Sequence, residues 1–202
     1  GGSLGEVGGA KIAGALELAV EDNRNHIPTV AILLLETGGV RLQEANLGLA
    51  AIAEIQAAIV ALRQHQPVIG VIAGSVGCFG GMSIAAGLCS YLIMTQEGRL
   101  GLNGPQVIEQ EAGLKEYNAK DRPFIWSICG GEQRFKTGLI DAYIDDNREQ
   151  IKAQIIEFIQ QGSPERPRCM QAEHYLEKLQ HLDTTQQISP AEVQALYQGE
   201  KA

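Results

Sequence analysis

Positive charge is in short supply in this chain. Sixteen Lys and Arg stand against 24 Asp and Glu, a net charge of −8. That balance argues against nucleic acid or an anionic membrane surface as the main partner, though a local basic site stays compatible with it. Long apolar runs are missing too. Each is broken by Gly, Pro or a charge within about ten residues, well below the roughly 20 that a membrane-spanning helix needs. The four cysteines, at 78, 89, 129 and 169, are widely spaced and form no C-x-x-C pair. That spacing argues against a zinc knuckle or ribbon within these residues, no other cluster has metal-ligand spacing, and a reduced, cytoplasmic setting is the expectation. Aromatic residues make up only 5%, so the core must be built from aliphatic side chains and alanine. Neither G-x-G-x-x-G nor G-x-x-x-x-G-K-S/T occurs at a strand end, which disfavours a nucleotide site.

What is present is glycine, 24 in 202 residues, and it falls at the ends of apolar runs. The length suits one well-filled domain with room for a terminal extension. A helix is expected over 10–25, with Ile12, Leu16 and Ala19 as its apolar stripe. Val30 to Leu35 is an unbroken apolar run bounded by Pro28 and Gly38-Gly39, which fits a parallel strand buried on both faces. A long helix follows over 44–65, with Ile52, Ile55, Ile59 and Leu62 at spacings of three and four and alanine on its other faces. Pro67 to Ala73 is a second buried strand, Tyr91 to Met94 a third, and Ala142 to Ile144 a last short one. Strands alternating with helices at this spacing mean right-handed crossovers and an α/β fold. Further helices are expected after Gly104-Pro105, over 122–129 and over 147–161. Past Pro167 the chain turns polar, with helical stretches near 172–182 and 190–197. The reading is a domain over 1–165 and a helical C-terminal tail over 166–202.

Two glycine pairs carry the chemistry, Gly38-Gly39 after the first strand and Gly80-Gly81 after the second. Strands joined by one crossover helix are neighbours in the sheet, and ligands of such sheets bind beyond the carboxyl ends of the strands. The N–H groups of Val40 and Gly81 can then converge on one oxygen. Two converging donors make an oxyanion hole, which stabilises the enolate or tetrahedral oxygen of a thioester. The flanking Gly38, Gly39, Arg41, Gly80 and Met82, with the Gly104-Pro105 turn, are the substrate-binding candidates. Cys78, Ser75 and Ser83 lie in the second turn as possible nucleophiles, but the four histidines (26, 65, 174, 181) fall at helix ends or in the tail, so no base has an evident place beside them. Glu36, Arg41 and Glu44 border the first turn, where a charge at a helix start is commonplace, and Glu109 beside Gln110 is either a catalytic carboxylate or a capping, solvated one.

These residues also carry a family resemblance. Gly-Gly-Ser-Leu-Gly (1–5), Gly-Gly-Val-Arg-Leu-Gln-Glu (38–44), the glycine pair at 80–81 and Gly-Pro-Gln-Val-Ile-Glu-Gln (104–110) recur in this order in acyl-CoA carboxyltransferase subunits of the crotonase superfamily. The stretches 9–19, 100–105 and 130–134 resemble more specifically the beta subunits of biotin-independent malonate decarboxylases. The resemblance covers roughly residues 1–146. It implies a crotonase-like superhelix of ββα units, with Val40 and Gly81 as the two backbone donors. It implies a homologous gamma subunit and an acyl carrier protein as partners. The substrate is then malonyl thioester on a coenzyme-A-like arm, with no tightly bound cofactor, and the reaction is decarboxylation to acetyl thioester. It also implies a segment, including a strand, ahead of Gly1. Two alternatives stay open: the beta half of a biotin-dependent acyl-CoA carboxyltransferase, and a non-catalytic assembly subunit.

Overall fold

The computed structural model describes residues 2–183, 185, 186 and 188–197. Gly1 of the opening motif and the end of the chain from 198 lie outside them. Six strands are present among the described residues: β1 (Ser3–Leu4), β2 (Ala31–Leu34), β3 (Gly39–Val40), β4 (Val68–Ile72), β5 (Tyr91–Thr95) and β6 (Ala142–Ile144). The helices are α1 (Glu6–Arg24), α2 (Asn46–Leu62), α3 (Gly81–Leu88), α4 (Pro105–Ala112), α5 (Arg122–Cys129), α6 (Gly131–Lys136), α7 (Arg148–Gln161), α8 (Ala172–Leu179) and α9 (Pro190–Ala195).

The main sheet is parallel in the order β2-β4-β5-β6, so the first two long strands are neighbours, Ile32 facing Ile69 and Leu34 facing Val71. Strand periodicity divides its side chains between two cores. Val68 and Ile72 of β4 and Leu92 and Met94 of β5 point into the larger core with Ile52, Ile55, Ile59 and Leu62 of α2. Ile69, Val71 and Ile93 point the other way, onto Phe158 of α7. Tyr91 stacks flat on Phe158 with centroids 4.2 Å apart.

One expectation fails here. The 30–35 run is not buried on both faces: Ile32 is 45% and Leu34 79% exposed. β2 is the edge strand, and α7 packs chiefly over β5 and β6, leaving an open groove between itself and Ile32. Helix α6 is also unforeseen. Six residues between glycines 130 and 138 are too short to show a period.

The alanine of α2 lets helices approach closely. A Cβ on Gly9 of α1 would come within 2.5 Å of Ala51 Cβ, so only a glycine–alanine pair fits that crossing. Polar caps set other helix starts: Asp121 accepts from Phe124 N, Asn147 from Glu149 N and Gln150 N, and Ser189 with Glu192 forms a capping box. The start of the C-terminal segment is tied to the domain. Arg168 pairs with Asp141 and donates to Cys89 O, and Tyr175 Oη donates to Gly138 O at 2.7 Å.

Candidate active site

The two glycine turns meet at the carboxyl ends of β2 and β4. Residues 77–80 thread as an extended segment between 37–39 on one side and 99–102 on the other. Thr37 N donates to Gly77 O at 2.8 Å and Phe79 N to Thr37 O at 3.0 Å; across the segment, Cys78 N donates to Arg99 O and Gly80 N to Leu102 O, both at 2.8 Å. Every one of these is a backbone bond, so the geometry is fixed by main chain rather than by mobile side chains.

Gly80 and Gly39 touch through their backbones. A Cβ on Gly80 would lie 3.0 Å from Gly39 Cα and 3.7 Å from Val40 N. Gly80 also has φ 64° and ψ −146°, a region open essentially to glycine alone. Both facts require glycine, and together they put Val40 N beside the turn that leads to Gly81. Arg41 N donates to Leu4 O at 2.8 Å. Alternation along β3 therefore turns the preceding N–H, that of Val40, to the opposite edge, away from β1. Gly81 opens α3, where the first N–H groups have no partner inside the helix. Among the described residues no acceptor reaches the Gly81 N–H. The peptide that follows is steadied from α2, since Gln56 Nε2 donates to Gly81 O at 3.3 Å. Gln56, Thr37 and Leu102 were not singled out from the sequence. Gln56 acts through a side-chain bond to a distant backbone carbonyl, which no local pattern announces.

The other candidate residues sort themselves by what they touch. Gly38 and Gly39 form the first turn, with Gly39 N held by Thr37 Oγ1 at 3.1 Å. Arg41 reaches Glu44 at 2.8 Å, and the Glu44 carboxylate in turn accepts the Glu6 N–H at the start of α1. That bond, ahead of the Arg41 charge, holds the Glu44 carboxyl below its usual range. Met82 places its side chain in the core at 3% exposure, so toward the site it can offer only main chain. Gly104 and Pro105 begin α4, two residues beyond the Leu102 carbonyl that receives Gly80 N; no backbone hydrogen bond joins them to Gly81. Glu109 accepts Ala119 N at 2.7 Å and Glu36 accepts Val76 N at 3.0 Å, so both carboxylates brace loops.

Ser83 is engaged and Cys78 is shut in, while Ser75 is exposed with no base placed beside it among the described residues. Ser83 Oγ donates to Gly80 O at 2.7 Å. Cys78 is fully buried, and burial pushes its thiol up to about 12. A thiol held that high is not a nucleophile near neutrality. Ser75 uses its carbonyl to receive Arg99, whose guanidinium lies 4.7 Å over Trp126 and 5.5 Å over Phe79. His26, His65 and His181 are exposed and His174 lies on α8. The arrangement can polarise an oxygen with backbone donors; it holds no activated side-chain nucleophile.

A carboxyl transferase domain model matches residues 1–199. The malonyl-S-ACP:biotin-protein carboxyltransferase of Malonomonas rubra is 43% identical over 148 residues, 68% of this chain and 46% of that protein. The chain thus spans about half the length of this curated relative. Among solved structures, a chain of a Pseudomonas malonate decarboxylase hetero-tetramer in complex with malonate superposes with TM-score 0.93 at 68% identity, over 96% of this chain and 71% of that one. A chain of the Pseudomonas malonate decarboxylase MdcD-MdcE hetero-dimer gives TM-score 0.78 at 65% identity, over 88% and 74% respectively. The parallel α/β architecture is crotonase-like, as the motifs imply. The chain belongs to the carboxyl transferase domain family.

Proposed function

We propose that this chain is the beta subunit of a malonate decarboxylase. It acts on malonyl thioester carried by an acyl carrier protein and yields acetyl thioester and carbon dioxide. The observation that carries the reading is the backbone apposition of the two turns, Gly80 against Gly39, beside Val40 N and the unpartnered Gly81 N–H. As the Cα–carboxylate bond breaks, its electron pair passes into the thioester carbonyl and leaves an enolate oxygen. Two N–H donors aimed at that oxygen stabilise the transition state more than the ground state, because the charge is larger there. The resulting enolate carbon then takes a proton. Gly38, Gly39, Gly80 and the backbone of Met82 shape the donor turn, while Arg41 and Gly104-Pro105 border the approach of the substrate.

Support comes from two further directions. Identity to the Pseudomonas malonate decarboxylase chains, 65% and 68%, exceeds the 43% to the biotin-protein carboxyltransferase. Apolar side chains exposed around the turns, Leu42 at 81%, Leu102 at 60%, Leu47 at 54% and Ile84 at 51%, suit cover by a homologous gamma subunit. No helix among the described residues is long and apolar enough to cross a membrane. In this reading residues 1–165 form the catalytic unit, 166–202 a helical appendage, and the coenzyme-A-like arm belongs to the carrier protein rather than to a tightly held cofactor.

The 43% relative favours a second reading, the carboxyltransferase half of a biotin-dependent system acting on the same thioester. Turnover of the complex assembled with its gamma subunit and malonyl carrier protein decides between them. Carbon dioxide release at full rate without biotin is expected, and Gly81→Pro, which removes one donor, should slow it about 10²–10³-fold. A strict need for biotinylated protein would replace this reading with the second.

A further inference from the structure

A cavity remote from the glycine turns lies where the C-terminal segment crosses α5 and α6. Its volume is about 820 Å³, within the range of small-molecule sites. Tyr117, Phe124 and Ile128 form one wall, and Leu179 of α8 with Val193 of α9 form the other. Tyr117 and Phe124 meet edge to face with centroids 5.2 Å apart, which makes that wall rigid as well as apolar.

One cation faces this lining, Arg134 of α6. Its Nε donates to Leu100 O at 2.8 Å, which fixes the guanidinium plane. No carboxylate pairs with it among the described residues. Glu116, the acidic residue of the lining, is exposed at its edge. Burial lowers the Arg134 pKa, yet arginine stays charged in any protein setting. A guanidinium keeps five N–H donors, and only one is engaged here. Arg134 is half-buried and lacks a counter-charge among the described residues, so an entering anion gains a charge-assisted partner there.

We infer that this cavity binds a small apolar monocarboxylate, its carboxylate on the free edge of Arg134 and its hydrocarbon or aryl body against Tyr117, Phe124, Ile128, Leu179 and Val193. Charge sets the polar end, because a guanidinium matches a carboxylate with two parallel hydrogen bonds. The apolar lining sets the remainder, and the volume excludes neither a medium alkyl chain nor a single ring. The tail contributes one wall, so the pocket exists only with α8 and α9 in place. This assignment is independent of the thioester reading.

The probes are decanoate and decanol, equal in chain length and different in charge, titrated below micelle formation into the full chain by calorimetry. Saturable decanoate binding at least tenfold tighter than decanol binding is expected. Arg134→Met should bring decanoate down to the decanol level, and Val193→Trp, which fills the cavity from the tail, should weaken both. If Arg134→Met does not fold by circular dichroism, the wild-type comparison and Val193→Trp decide. Decanoate binding no tighter than decanol, or unchanged binding to Val193→Trp, overturns the inference; so does an intact preference in a folded Arg134→Met.

Discussion

Gly80→Ala is the sharpest perturbation of the proposed donor pair. Two costs arise together. Alanine resists φ 64° with ψ −146°, a strain of about 1–3 kcal/mol. Its Cβ would also stand 3.0 Å from Gly39 Cα, closer than the roughly 3.5–4.0 Å of an optimal carbon contact. The chain has two ways to relax. It can push the 38–40 turn away, which displaces Val40 N, or rotate the 80–81 peptide, which re-aims the Gly81 N–H because ψ of Gly80 sets that plane. Either route misplaces one donor, and loss of one oxyanion donor lowers turnover about 10²–10³-fold, or about 2.7–4 kcal/mol. The strain alone lowers the melting temperature by about 2–12 °C in a chain of this size. Gly87→Ala is the control: it sits in the same helix, α3, with nothing within 4 Å of its added Cβ. It should keep turnover and gain about 0.5–1 kcal/mol. The assay is carbon dioxide release by the assembled complex, with kcat and KM resolved, beside thermal melts. A folded Gly80→Ala variant with turnover within threefold of wild type would refute the donor geometry.

Other outcomes follow from the same contacts. Cys78→Ala should keep turnover within about tenfold, since its thiol is buried and no cavity larger than a sulfur is left; an inactive but folded variant would mean covalent chemistry. Iodoacetamide on the native chain should label the exposed Cys169 and spare Cys78, Cys89 and Cys129, a pattern read by peptide mass spectrometry. Burial raises the Cys78 and Cys89 thiols from 9.0 to about 12, so the unfolded chain ionises first as pH rises. Stability from this source is therefore complete below pH 9 and lost progressively toward pH 12, and the Cys78→Ala/Cys89→Ala pair should flatten that part of the melting-temperature profile. Arg99→Ala removes two cation–π contacts and the donors to Ser75 O and Val76 O, costing about 1–2 kcal/mol. The fluorescence of Trp126, the single tryptophan, should shift as one of its two stacked guanidiniums leaves, Arg122 staying 4.5 Å from the ring, and an unchanged spectrum would contradict the Arg99 contact.

Local pattern by itself determined much of this protein. The apolar runs at 67–73 and 91–94 and the 3.6-residue spacing of Ile52, Ile55, Ile59 and Leu62 are strong periods, and they specify β4, β5 and α2 wherever the chain folds. Glycine pairs after strands are equally local, because the left-handed backbone they supply is needed at the turn itself. Ordered motifs then gave the family. Tertiary structure decided what depends on a distant partner. Whether Leu34 is buried depends on how far α7 reaches, which no residue near 34 encodes. Cys78 and Met82 lie in the glycine-rich turn as readily as Gly80 does, and only packing against α2 and the sheet withdraws their side chains. Glu109 looks like an acid beside an active site until Ala119 N claims it. The apposition of Gly80 and Gly39, and the cavity under the tail with Arg134 in its wall, join segments tens of residues apart. Such contacts are set by the sum of the core packing, so they could be read only once the chain was folded.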